Sequence, residues 1–492
     1  MAIKNKRNNI YSDIVNAYLK KEGIYSPVLG VYEKVDGAYV LVSYNPQPAF
    51  MQASPLGLIG SFRTVAGHNS VNMYRAAADI DMVEIEVSNA SIFVTQNTSE
   101  AFPGDGLSLN VKCVLWAPTF PYVKTVRAFA SPLSAGATSG TLAANAPGST
   151  LEYVQLNSGE YRWMRYTGGS TNVTWDAPLT LPAAVNAQIW QMQNKGTFQF
   201  DGASPGVLTG GQFSLLKSTI SGLSIKRNDP VYVISYISRV GGGNFLLPGN
   251  QPANGTDILG NGLLESYTDG AVDNTGTRFG SAPWYTIAMG ANQFRPIALR
   301  AFNISNNLYQ PIPVVGDSIA SFQNSWVQQF LHSKTVPYVN LAKAGETAAQ
   351  FIANSTIRVQ ALSRGYMLVE MGRNAWAVPG MQALWTYLRA NGATKIIQVL
   401  PPPQTTSGTN DWSSEATQNP DTATLPVNAQ IIALLGQPNG PDAIWDSYTP
   451  CQGTDIQKWA PNFTGDGTHP GSLGIAAIIA YANANNWVND LL

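Results

Sequence analysis

The chain has 492 residues, of which 44% are hydrophobic and only 12% charged, against about 25% charged in an ordinary soluble protein. Its 29 basic residues nearly cancel its 30 acidic ones, which argues against binding a phosphate backbone, an activity that needs clustered Lys and Arg. The length implies two or three folded domains with real cores, and a net charge of −1 offers little repulsion against self-association.

Two cysteines, Cys113 and Cys451, lie far apart, which excludes a disulfide scaffold and a cysteine-rich zinc site. The N-terminus is basic but has no apolar core segment, so no signal peptide is expected. No run approaches the ~18 apolar residues of a membrane span. The expected site of synthesis is a cytoplasm, and an outside function would need a signal-independent route such as lysis.

Residues 1–29 carry Ile10, Ile14, Val15, Tyr18 and Leu19 at a spacing that predicts a short amphipathic helix ending at Gly23. A terminal helix with basic flanks is expected either to dock a neighbouring subunit or scaffold or to pack on its own domain. Residues 30–301 change in texture, with short β-like runs separated by Gly, Pro, Asn, Ser and Asp. Met82–Val87 alternates apolar and acidic residues, the pattern of a half-buried strand. This region predicts a β-sandwich or jelly roll, with an inserted small β element at about 131–200. In residues 302–492 strands alternate with helices, which implies a parallel sheet covered on both faces. The polar stretch Pro403–Pro426 is long enough to expect a lid, a binding loop or an interface element.

Hydrolysis by a serine needs an exposed hydroxyl at a sharp turn, a histidine base, a carboxylate to orient it and donors for the oxyanion. Ser318 sits at a strand-to-helix turn. Of the three histidines, His332 lies at the far end of the helix that Ser318 opens, and His68 lies in the β-rich region. His469 lies in a turn-rich loop three residues after Asp466, a spacing that lets the carboxylate hold the imidazole. Either pattern alone is weak, but their order, at the start and near the end of the α/β region, is stronger.

These residues resemble a known family. Gly316-Asp317-Ser318 resembles block I of the SGNH (GDSL-type) hydrolases, and Asn340–Thr347 resembles block II. Gly372-Arg373-Asn374-Ala375 resembles block III, and Asp466-Gly467-Thr468-His469 resembles block V. The blocks stand in family order across about 311–492. Ala375 departs from the family's aspartate at the end of block III. The resemblance implies a three-layer α/β/α domain with a parallel sheet, behind the β-rich region in a multidomain α+β chain, and ester hydrolysis without a cofactor or metal. In it Ser318 attacks, His469 carries the proton and Asp466 orients it. The N–H groups of Ser318 and Gly345 and the side chain of Asn374 hold the oxyanion. The β-rich region, most of all Leu223–Val233, is similar to the accessory β-sandwich that some of these esterases carry.

Trp376, Trp412 and Trp459 lie near the blocks and are candidates to stack on a sugar ring, although most tryptophans are core or interface anchors. The expected activity is removal of O-acetyl groups from a host surface glycan by a phage tail fibre or tailspike. The resemblance to fibre proteins implies a homotrimer, docked to other virion proteins through the N-terminus, with no nucleic acid partner and no membrane span. The alternatives are a cellular carbohydrate esterase or lipase of the same fold, cytoplasmic or exported without a signal, and a non-catalytic virion structural or receptor-binding protein.

Overall fold

The computed structural model describes most of residues 64–118, 124–143, 192–247, 266–276 and 312–491, with the backbone of short strands and single residues elsewhere. In the first 29 residues, strands stand in place of the expected helix. Tyr18–Lys21 and Ile24–Pro27 pair antiparallel, with Lys21 opposite Ile24. The sequence between them is Glu22-Gly23, a two-residue link with a glycine, which hairpins favour. Ile14, Val15 and Gly23 lie outside the described residues.

The β-rich region contains β1 (His68–Ala76), β2 (Ile80–Ser88), β3 (Leu109–Ala117), β4 (Gln193–Thr197), β5 (Leu215–Ile225), β6 (Pro230–Arg239) and β7 (Ala298–Phe302). Strands β5, β2 and β7 form one antiparallel sheet. Strands β4, β3, β6 and β1 form another antiparallel array. Val83, Ile85 and Val87 of β2 share a buried cluster with Val111 and Leu115 of β3 and Val231 and Val233 of β6. The alternation read in Met82–Val87 thus sends its apolar residues into that core. Its acidic residues meet Arg300 of β7, 3.0 Å from Glu84 and 2.8 Å from Glu86. Glu86 is fully buried, not solvated; Lys217 is its second partner. A six-stranded antiparallel sheet, running from Lys124–Ala128 to Gln188–Trp190, interrupts the chain between β3 and β4. It leaves and returns beside a strand pair, since Ala117 faces Gln193.

The following region holds β8 (Ile312–Gly316), α1 (Ser318–Ser321), α2 (Trp326–Ser333), β9 (Tyr338–Asn340), α3 (Ala348–Asn354) and β10 (Gly365–Glu370). It continues through α4 (Val378–Ala390), β11 (Ala393–Leu400), α5 (Thr424–Ala433), β12 (Ala443–Asp446) and α6 (Ser472–Ala484). Strands β9, β8, β10, β11 and β12 pair in that order, all parallel. All five residues of β8 are buried, as a strand covered on both faces requires. Its neighbours in sequence serve opposite faces. Val314 packs in a cluster with α2 and α6, and Val315 in a cluster with α3, α4 and α5. Leu368 and Val369 of β10 divide in the same way. The result is three layers, with helices on both faces of the sheet. Several tryptophans are anchors of this core. Trp445 stacks on Trp487 with centroids 5.1 Å apart, and Trp326 meets Trp487 edge-on at 5.8 Å.

Strand Phe50–Gln52 pairs in parallel with β9 and antiparallel with β1. It joins the antiparallel array and the parallel sheet into one twelve-stranded sheet. Among the described residues, no helix is long and apolar enough to cross a membrane.

Candidate active site

The strand order places a site before any side chain is considered. The chain passes from β8 to β9 on one side, then crosses back to β10 on the other. At such a reversal the loops after neighbouring strands diverge and leave a crevice at their carboxyl ends. Ser318 follows β8, Gly345 follows β9, and Arg373 and Asn374 follow β10. Three loops distant in sequence therefore converge on one point.

The fourth contributor is the loop before α6. His469 Nε2 lies 2.7 Å from Ser318 Oγ, and His469 Nδ1 lies 2.6 Å from Asp466 Oδ2. Asp466 Oδ1 accepts the backbone N–H groups of Thr468 and His469, each at 2.8 Å. Thr464 Oγ1 accepts the Gly467 N–H at 2.9 Å and donates to His469 O at 2.9 Å, which closes the turn. Partial burial pushes the Asp466 carboxyl up, but the bonds from the His469 ring and the two backbone N–H groups outweigh it. They hold the carboxyl well below the ordinary range. It therefore stays an acceptor for the ring. Ser318 is 8% exposed and the His469 side chain 29% exposed, so the pair can be reached from outside.

Candidate donors stand on the loops that follow β8, β9 and β10. As the first residue of α1, Ser318 has an N–H with no acceptor within the helix. Gly345 has φ +74°, and a Cβ there would meet nothing within 4 Å. The left-handed backbone, not crowding, calls for glycine at this point. The adjacent Glu346 forms a buried bidentate ion pair with Arg358, 2.6 Å on each arm. Thr347 caps α3 through reciprocal bonds with Gln350. The loop holding Gly345 is thus fixed from its far side. Asn374 Nδ2 donates to Glu346 O at 3.2 Å, which uses one of its two amide hydrogens.

Behind the serine lies a buried ionic group. Asp317 Oδ1 accepts the Ile319 N–H at 3.1 Å, and Oδ2 accepts the Arg373 N–H at 3.3 Å. Burial pushes the Asp317 carboxyl up to about 6. Burial, aided by the nearby Asp317 charge, holds Glu370 well above the ordinary carboxyl range. Burial draws the Arg373 guanidinium down to about 10, which leaves it cationic at neutral pH. Glu370 and Arg358 stand outside the motif stretches and Glu346 and Arg373 inside them, but nothing in the sequence distinguished any of the four as a support of the site.

The structure brings Ser318, Asp466 and His469 together and sets Gly345 and Asn374 on the loops beside them. It places the tryptophans differently. Trp459 is fully buried in the core of the α/β region, and its Nε1 donates to Gly467 O at 3.0 Å. It has no face to offer a sugar. Trp412 is 8% exposed, and its ring lies where a Cβ on Gly467 would stand. Thr405 O crowds the same position, and Gly467 has φ +78°, so this glycine is required by both space and backbone. Both tryptophans hold the Asp466–His469 loop. Trp376 lies outside the described residues. The Pro403–Pro426 stretch is ordered as a pair of short strands, Thr405–Ser407 with Gln418–Pro420, before α5 begins. It packs against the histidine loop through Thr405 N–H to Gly467 O at 2.9 Å. Among the described residues, no group of three or more His, Cys, Asp or Glu is placed to hold a metal ion.

No protein-family model matches the chain, and no curated protein matches it. Solved structures similar to part of it include a protein of Bacteroides fragilis described as an acylhydrolase, at 21% identity and a TM-score of 0.29. That likeness covers 36% of this chain and 87% of the other. A GDSL-like lipase of Bacteroides thetaiotaomicron is similar at 19% identity over 36% of this chain and 88% of its own, with a TM-score of 0.28. A variant of an acetyl xylan esterase of Geobacillus stearothermophilus is similar at 14% identity over 35% and 93%, with a TM-score of 0.25.

Proposed function

We propose that the chain is a serine esterase of the SGNH type that removes short acyl groups, acetyl above all, from a glycan. The observation that carries this reading is the hydrogen-bonded series Ser318–His469–Asp466, at 2.7 and 2.6 Å, with oxyanion donors on the neighbouring loops. In the reaction His469 Nε2 takes the Ser318 proton as Oγ attacks the ester carbonyl. The oxyanion rests on the N–H groups of Ser318 and Gly345 and the free amide hydrogen of Asn374. Collapse of the tetrahedral intermediate expels the sugar hydroxyl, which takes the proton from His469. Water, deprotonated by the same ring, then releases the acyl group as its acid and restores the serine. Asp466, kept ionised, fixes the ring's tautomer and supports its positive charge.

The weakly charged, near-neutral chain favours a neutral polysaccharide over a charged substrate. The polar Pro403–Pro426 segment beside the histidine loop favours glycan over lipid. We read the antiparallel region as a β-sandwich, two sheets over one core, and the whole chain as a phage tail protein that assembles as a trimer. The β-rich front, the low charge and a hydrolase at the far end support that setting.

Acetate release from O-acetylated polysaccharide, set beside hydrolysis of a long-chain glyceride, tests the reading. Expected is release from the polysaccharide that Ser318→Ala abolishes. Preference for the glyceride would make the chain a lipase, and no Ser318-dependent release from either would leave a binding protein. A native mass of three chains is expected, and a monomer would refute the trimer.

A further inference from the structure

The two halves of the site come from distant parts of the chain. Ser318, Gly345 and Asn374 stand after β8, β9 and β10, whereas Asp466 and His469 stand just before α6. Catalysis at one carbonyl requires the oxyanion donors and the base to keep a fixed relation, since an error of about 1 Å can cost roughly 100-fold in rate.

We propose that Arg373 is a positioning residue that sets the register between these two halves; the proposal rests on the esterase reading. Arg373 reaches both. Its N–H donates to Asp317 Oδ2 at 3.3 Å, one residue from the nucleophile, and Asn374 follows it directly. Its guanidinium donates to Gln404 Oε1 at 3.0 Å, to Pro403 O at 3.0 Å and to Pro402 O. Thr405, next in the chain, donates its N–H to Gly467 O at 2.9 Å. Gly467 lies between Asp466 and His469. An oxyanion donor is thereby linked to the general base through one side chain and one backbone bond.

The acceptors explain why arginine serves here. A planar guanidinium holds several acceptors in one fixed fork, whereas an ammonium is a point donor on a flexible stem. Gln404 Oε1 and the two proline carbonyls define such a fork. Arg373 is 4% exposed, and the Asp317 carboxylate beside it offsets part of the cost of burying its charge. Balancing that carboxylate would need only a cation, whereas registering the 402–404 segment needs the fork.

Arg373→Lys and Arg373→Met in the full-length protein separate these roles. The readouts are kcat and KM for a short-chain aryl acetate and the resonance of the His469 Nδ1 proton in its bond to Asp466. Expected is a fall in kcat of roughly 10- to 100-fold in both variants, with KM little changed and the proton resonance displaced or broadened in both. If lysine restores both kcat and the resonance, the residue only balances charge and the proposal is overturned. A methionine variant with the kcat of the parent overturns it as well. Should the methionine variant fail to fold, the lysine variant carries the test by the same two readouts. If the parent protein itself hydrolyses no aryl acetate, the esterase reading fails. The register claim is then decided by the resonance alone: displaced in both variants supports it, unchanged in both overturns it.

Discussion

The antiparallel and the α/β regions each contain a histidine bonded to an aspartate, and the two pairs stand in different surroundings. His68 Nδ1 lies 2.9 Å from Asp269, and its Nε2 accepts the Phe294 N–H at 3.4 Å. That ring is fully buried, with a backbone group at its second nitrogen. His469 makes a similar bond to Asp466, but its second nitrogen faces the hydroxyl of Ser318. A His–Asp pair is therefore no sign of chemistry by itself. What matters is the group at the other ring nitrogen, and here the strand order decides it. On β1 the histidine lies within a sheet, whereas His469 lies on a loop above the point where the parallel order reverses.

Four substitutions would break or sharpen that contrast. His469→Gln should lower kcat on an aryl acetate by roughly 10⁴-fold or more while leaving the melting temperature near that of the parent. His68→Gln should do the reverse. Its kcat per folded molecule should stay unchanged, while stability falls by about 1–3 kcal/mol, because the buried Phe294 N–H loses its acceptor. Equal kinetic damage from the two would remove the distinction. Arg358→Met leaves Glu346 buried without its bidentate partner, so denaturant unfolding should show a loss of about 3–5 kcal/mol. A fall in kcat should accompany it as the Gly345 loop loosens, and an unchanged unfolding midpoint would deny the ion pair its anchoring role.

The smallest effect is in the dependence of stability on pH. Asp317 has its carboxyl raised from 3.8 to about 6 in the folded protein, so between those values the folded state binds more protons than the unfolded one. Stability must then fall as pH rises through that window. Asp466 acts with the opposite sign: its lowered carboxyl stabilises above the ordinary carboxyl range, and that contribution is lost as pH falls. Asp317→Asn should flatten the decline between about pH 4 and 6, measured by unfolding midpoints. A profile identical to the parent would show that Asp317 does not titrate there.

Legibility in the sequence followed the range of the interactions. Ser318, Asp466 and His469 were readable because each stands in a short local pattern: a strand-to-helix turn, or a carboxylate three residues before an imidazole. The alternation of Met82–Val87 was readable for the same reason, although the burial of Glu86 depends on Arg300, far away on β7. Arg373 and Arg358 were not readable, since their partners lie on other loops. Trp459 and Trp412 were misplaced on the substrate because a tryptophan beside a motif looks alike in sequence whether its face is open or packed on Gly467. At the N-terminus, Tyr18 and Leu19, spaced for a helix with Ile10, stand on a short strand instead, because the same apolar residues suit either period over so short a run.

The most direct measurement is intact mass after reaction with a fluorophosphonate, which modifies only an activated serine. Expected is one adduct per chain, mapped to Ser318, absent in Ser318→Ala and formed far more slowly in His469→Gln. No adduct on the parent protein, or one that persists in Ser318→Ala, would contradict the assignment of Ser318 as the nucleophile.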